Sequence, residues 1–185
     1  MFSKNRRRLY MAFYVRSARD ENDVKFHTSL LVTPKSPNMQ TMERNSLRLH
    51  AMNTVNASGV EFWRYDYSNV IVRTFRLAGL QLLAKIESDV TDEVLINLLK
   101  QVYVSPNAND LSWRCRNWAW DAIELLVKNG IVQPLPEGMA ARDVWQAGYD
   151  FIENEDLNNM LREALRTCDV RGHPIKSEIG ALVED

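Results

Sequence analysis

The sequence has only two cysteines, Cys115 and Cys168, far apart and with no CxxC pair. That argues against a disulfide framework and leaves two free thiols. These cysteines, the three histidines and the carboxylates show no metal-ligand spacing, so no metal is expected. With seven glycines and six prolines in 185 residues, low-complexity sequence is absent, and disorder is expected only at the two ends. No glycine-rich loop of the kind that cradles phosphate is present, which leaves nucleotide-dependent chemistry and any cofactor without support. An excess of charge of one sign is missing too. The formal net charge is −1, which gives no electrostatic reason to expect nucleic acid as the main partner.

Long hydrophobic runs are likewise absent. The stretch LYMAFYV at 9–15 follows the basic residues Lys4, Arg6, Arg7 and Arg8, the order of a signal peptide, but it ends at Arg16 with no small-residue cleavage site after it. It falls well short of the ~18 apolar residues of a membrane span. The expectation is a soluble, intracellular protein whose basic cluster is a solvated tail. The acidic residues show no paired-carboxylate spacing suited to glycosidase chemistry.

What is present fits one domain over residues 1–185, with 1–7 and 170–185 as loose tails. Residues 8–15 (RLYMAFYV) read as a buried strand and 16–25 as a polar loop. FHTSLLV at 26–32 is a second strand, stopped by Pro34 and Pro37, with Phe26, Thr28, Leu30 and Val32 on one face and His27, Ser29 and Leu31 on the other. After a polar loop at 33–46, LRLHAMNTV at 47–55 and VEFWRYDY at 60–67 form partner strands around a turn at Asn56–Gly59. The runs VIVRTF and LQLLAKI follow, the second read as a strand. From Thr91 the apolar period becomes helical through Val94, Leu95, Leu98, Leu99 and Val102. Further helices are expected over 112–129, 140–153 and 155–167. Strands first and helices second give an α+β class, an antiparallel sheet from the N-terminal half packed against C-terminal helices.

Cys115 is the residue that carries chemistry by its position. In the first turn of a helix, unpaired amides and the helix dipole stabilise an anion, and only the thiolate is a good nucleophile. Arg114 and Arg116 flank it and add to that field. His27 and His50 each sit mid-strand on the more polar face, so neighbouring strands would turn both into one cleft. Trp113 next to the cysteine would wall an apolar pocket, while Trp118, Trp120 and Trp145 read as core. Tyr10 and Tyr14 could bring a hydroxyl to the site. Cys168 and His173 are read as packing or tail.

The order KFHTSLLV, LRLHAMN and SWRCRNWAWDAIELL resembles the permuted papain-like thiol enzymes, in which a histidine strand precedes the cysteine helix. It is similar to the lecithin–retinol acyltransferase type (order His, His, Cys) and to the PPPDE isopeptidases. Most of the chain, including RRLYMAFYV and ARDVWQAGYDFI, more closely resembles a family of small fungal domains of little-known function. The resemblance implies Cys115 as nucleophile, His27 as base, His50 as the orienting group, and the Cys115 amide as part of an oxyanion site. Trp113, Tyr14 and Arg114 would then contact substrate, a small-molecule or peptide acyl compound.

The resulting expectation is cysteine-dependent acyl transfer, or amide or ester hydrolysis. Two alternatives use the same cleft. One is a non-catalytic binding module, supported by Arg114 beside the cysteine and by the lack of a further specificity motif. The other is a biosynthetic, cyclisation-type enzyme. Substrate identity and oligomeric state are not legible at this level.

Overall fold

The computed structural model describes residues 6–16, 24–108, 110, 112–154 and 164–180. Five strands come first: β1 (Arg7–Val15), β2 (Phe26–Thr33), β3 (Ser46–Val55), β4 (Glu61–Val70) and β5 (Leu77–Ile86). Among the described residues, three helices follow, α1 (Asp92–Leu99), α2 (Cys115–Lys128) and α3 (Ala141–Glu153), and then a two-residue strand, β6 (Thr167–Cys168). The class is α+β. The strands form one sheet in the order β4-β3-β2-β1-β5-β6.

The expectation of an antiparallel sheet holds for β1 to β5 and needs correcting at β6, which runs parallel to β5 and makes the sheet mixed. Thr167 and Cys168 were expected to end a helix over 155–167. Instead they pair with Leu80 and Gln81, while residues 155–163 lie outside the described residues. A β-branched threonine beside an open strand edge gains more from the sheet ladder than from a helix end. Of the run VIVRTF only Val70 belongs to a strand, and 71–76 form the connection to β5.

Both faces of the central strands are covered, which is why β1 and β2 read as near-continuous apolar runs. On one face Leu9, Met11, Phe13, Phe26, Leu30 and Leu49 pack against the helices through Leu95, Trp118, Ile123 and Trp145. On the other, Tyr10, Ala12, Tyr14, Leu31 and Leu80 are closed over by Leu165 and Ile179. The expectation of a loose tail from residue 170 is therefore corrected. Ile179 is fully buried, Arg8 is paired with Glu178 at 2.8 Å, and Leu165 N–H donates to the Ile179 carbonyl at 3.0 Å. Among the described residues, the sheet's second face is covered by apolar side chains of 164–180, Leu165 and Ile179; residues 181–185 lie outside the described residues. At the other end, Arg7 opens β1 and is paired with Asp92.

Helix starts follow their local chemistry. Thr91 caps α1, its hydroxyl accepting from Val94 N–H at 3.2 Å. Gly148 of α3 leaves room for the Gln81 side chain, whose amide donates to the Val144 carbonyl at 2.8 Å. That contact ties α3 to β5, and α2 in turn lies across β2 and β3. Among the described residues, no helix is long and apolar enough to cross a membrane.

Candidate active site

The first turn of α2 is built by the loop before it. The Asp110 carboxylate accepts from Ser112 N–H at 2.9 Å and from its hydroxyl at 2.6 Å, forming a compact Asx turn. Arg114, extended at φ −147° and ψ 171°, is the N-cap. Asn117 accepts from the Arg114 amide at 2.8 Å and locks the helix start from inside. Cys115 is therefore the first helical residue, and its amide has no acceptor within the helix.

Strands β2 and β3 part where α2 meets them. Their ladder runs through Val32–Leu47, Leu31–Arg48 and Leu30–Leu49 and goes no further. Continued, it would have set His50 opposite Ser29. Instead, the Thr28 amide is hydrogen-bonded to the Cys115 sulfur, and the thiol is also hydrogen-bonded to the His27 side chain. Burial alone would push this thiol up. The opposing influences of His27, the Thr28 amide and the Arg16 charge outweigh burial, and its pKa is lowered.

His27 Nε2 lies 2.6 Å from His50 Nδ1, with the two rings edge-on and their centroids 4.9 Å apart. Nδ1 of His27 is the ring nitrogen left to face the thiol. His50 is 5 % exposed, and its pKa falls to about 3, first because of burial and then through the charges of His27, Arg48 and Arg64. It is a neutral imidazole near neutral pH. Its Nε2 is 3.6 Å from Asp66 Oδ2, longer than a hydrogen bond, and has no other partner among the described residues.

The structure thus brings Cys115, His27 and His50 together. The remaining residues singled out in the sequence are placed as follows. Tyr14 stands directly opposite His27 on β1, with Arg48 over its ring at 5.9 Å, and burial pushes its hydroxyl up to about 12. Trp113 packs edge-on against Trp63 at 5.2 Å and Tyr103 at 6.4 Å. Arg114 folds back on the loop, donating to the carbonyls of Asp110 (2.8 Å) and Trp113 (2.7 Å). Arg116 lies over the Trp145 ring at 5.9 Å. The expectation that Arg114 and Arg116 supply the positive field is corrected: the arginine that lowers the thiol is Arg16, the residue just after β1. Tyr10 lies on the face covered by 164–180, and burial pushes its hydroxyl up to about 12. Among the described residues, no group of three or more His, Cys, Asp and Glu side chains is arranged to hold a metal ion.

A family model matches residues 6–156, most of the chain, and its description is a family of unknown function, DUF6914. The chain belongs to that family. No curated protein and no solved structure matches it. The DUF6914 span contains Cys115, His27 and His50, whereas the covering segment 164–180 lies beyond it.

Sequence reasoning passed over the Thr28 amide, Arg16 and Asp66. The signal for Asp66 was present: the tight turn at 56–60 sets Val55 against Glu61, and five steps away from the turn on each strand set His50 against Asp66. The Thr28 amide carries no side-chain signal, since any residue at that position would offer the same donor.

Proposed function

We propose that this chain is a cysteine-dependent enzyme on a permuted papain-like scaffold, acting on acyl compounds by transfer or by amide or ester hydrolysis. The observation that carries the reading is one contact chain. Cys115, at the start of α2, is hydrogen-bonded to His27, and His27 Nε2 lies 2.6 Å from His50 Nδ1. A cysteine at a helix start, with a histidine base that is itself oriented by a third group, is the arrangement nucleophilic catalysis requires.

In this reading His27 Nδ1 takes the thiol proton. The thiolate attacks the substrate carbonyl, forming the S–C bond while the π pair moves to oxygen. The Cys115 amide, which has no acceptor within the helix, donates to that oxyanion. Collapse returns the pair to the carbonyl and expels the leaving group, which takes the proton from His27. Water or an acceptor then attacks the thioester, gives its proton to His27 and releases the Cys115 thiolate. A working thiol of this kind fits a reducing compartment.

The burial of Cys115, 3 % exposed, favours a second reading in which the scaffold is a binding module without turnover. One experiment separates the two. Native protein is alkylated with iodoacetamide across pH and, separately, incubated with p-nitrophenyl acetate before its intact mass is taken. The enzyme reading expects an alkylation midpoint below the ~8.5 of free cysteine. It also expects a mass gain of one acetyl group that Cys115→Ala abolishes. Slow alkylation at Cys115 and no adduct would leave the binding module.

A further inference from the structure

The direction of the hydrogen bond between His27 and His50 decides whether His27 is a base toward the thiol. A neutral imidazole carries one N–H and one lone pair. If His27 donates from Nε2, its lone pair is on Nδ1, where the thiol proton must go. If instead His50 donates from Nδ1, His27 accepts on Nε2 and carries its own hydrogen on Nδ1, aimed at the sulfur. That arrangement has no base. The 2.6 Å separation between the two nitrogens is compatible with either donor, so something beyond the pair must choose.

Asp66 is placed to choose. On β4 it is the cross-strand partner of His50, within the turn-fixed register that runs from Ser46–Val70 to Val55–Glu61. Its Oδ1 lies 3.5 Å from an Arg64 guanidinium nitrogen, and its Oδ2 lies 3.6 Å from His50 Nε2. That Nε2 is buried and has no other partner among the described residues. A lone pair on Nε2 would face carboxylate oxygen, pair against charge. An N–H there faces it favourably, and a buried N–H with no acceptor is costly.

We infer that Asp66 is a positioning residue that holds His50 in its Nε2–H tautomer, so that His50 Nδ1 accepts from His27 Nε2–H and His27 Nδ1 is left as the base for Cys115. The inference rests on the thiol-enzyme reading for its purpose but not for its test. Asp66 touches neither thiol nor substrate and acts only through the two rings. The relay also stays in place when His27 is protonated, because both its N–H groups then have acceptors, His50 Nδ1 on one side and the thiolate on the other.

The test is the tautomer itself. Two-bond ¹H–¹⁵N spectra of imidazole-labelled full-length protein distinguish Nδ1–H from Nε2–H, with His27→Gln and His50→Gln used for assignment. The expected result is protonation at Nε2 and a bare Nδ1 for His50 near neutral pH. In Asp66→Ala the His50 signals should move toward the Nδ1–H form, with Asp66→Asn, which keeps an acceptor oxygen, in between. Iodoacetamide alkylation of Cys115 at pH 7 should slow about tenfold in Asp66→Ala, the equivalent of one pKa unit. Asp66 is on an edge strand and part-exposed, and a matching urea midpoint for Asp66→Asn shows that the fold is intact. A wild-type His50 protonated at Nδ1, or tautomer signals unmoved in Asp66→Ala, overturns the inference. A wild-type Cys115 that titrates like free cysteine would instead sink the enzyme reading, while the tautomer comparison still decides the role of Asp66.

Discussion

The indole N–H of Trp145 donates to the Thr28 hydroxyl at 3.0 Å, wholly buried, and so pins α3 to the strand whose next residue back is His27. The same Thr28 holds the Cys115 sulfur through its backbone amide, so one residue couples the core to the reactive thiol. Thr28→Val keeps the shape and removes the acceptor, stranding a buried indole N–H. The expected loss is about 1–3 kcal/mol in urea unfolding, the penalty for an unsatisfied buried donor. On a Trp145→Phe background the same change should cost markedly less, and equal costs on both backgrounds would show that the contact contributes nothing.

His50 gives the protein a definite acid response. Its folded-state value of about 3 lies below the ordinary 6.5, so between those values the unfolded chain binds a proton that the folded chain refuses. Stability contributed by keeping His50 neutral is fully present above about 6.5 and is lost as pH falls toward 3. The slope is on the order of 1.4 kcal/mol per pH unit from this residue. Urea midpoints measured from pH 7 to pH 4 should fall more steeply for wild type than for His50→Gln, which has no imidazole to titrate. Parallel curves would contradict the assignment of His50 as a buried neutral ring.

Why the sequence displayed some of this and hid the rest can be traced to particular residues. The period-2 and helical patterns placed β2, β3, β4, α1, α2 and α3 to within a few residues, because each of these buries one defined face or is bounded by a turn or cap such as Asn56–Gly59 or Thr91. Pattern reading put His27 and His50 each on the more polar face of its strand, and β2 and β3 are neighbours in the sheet. The parting of the two strands beyond Leu30 and Leu49 was not legible, since it depends on α2 arriving from 85 residues later in the chain. The same holds for Arg16: its nearness to Cys115 is a product of sheet order, whereas the adjacent Arg114 and Arg116 are turned onto carbonyls and an indole. The C-terminal segment misled for a further reason. Its glycines and proline suggest looseness, but two of its apolar side chains, Leu165 and Ile179, dock on the sheet face made by Tyr10, Ala12, Leu31 and Leu80.

The two cysteines should behave oppositely. Burial, followed by the Asp169 charge, pushes the Cys168 thiol up to about 12, whereas that of Cys115 is lowered. At pH 8 the thiolate fraction of Cys168 is on the order of one in ten thousand. Peptide mapping after brief iodoacetamide treatment of native protein should find the label at Cys115, with Cys168 modified only after unfolding. Native labelling confined to Cys168 would reverse the assignment of environments.

Ile179 tests whether the segment 164–180 belongs to the folded unit. Its side chain is fully buried against Tyr10, Leu31 and their neighbours on the sheet face opposite the helices. It is held there by backbone pairing with Leu165, while the adjacent Glu178 pairs with Arg8. Truncating a buried isoleucine to alanine removes its transfer free energy and leaves a cavity, so Ile179→Ala should cost about 2–5 kcal/mol in urea unfolding. Val55, 57 % exposed at the end of β3, is the matched control, and Val55→Ala should change stability by no more than about 0.5 kcal/mol. Because Tyr14, the strand neighbour of His27, lies in the same cluster, the loss at Ile179 should also broaden the His27 and His50 signals used to read their tautomers. An Ile179→Ala variant as stable as Val55→Ala would mean that the sheet face keeps its order without this cover.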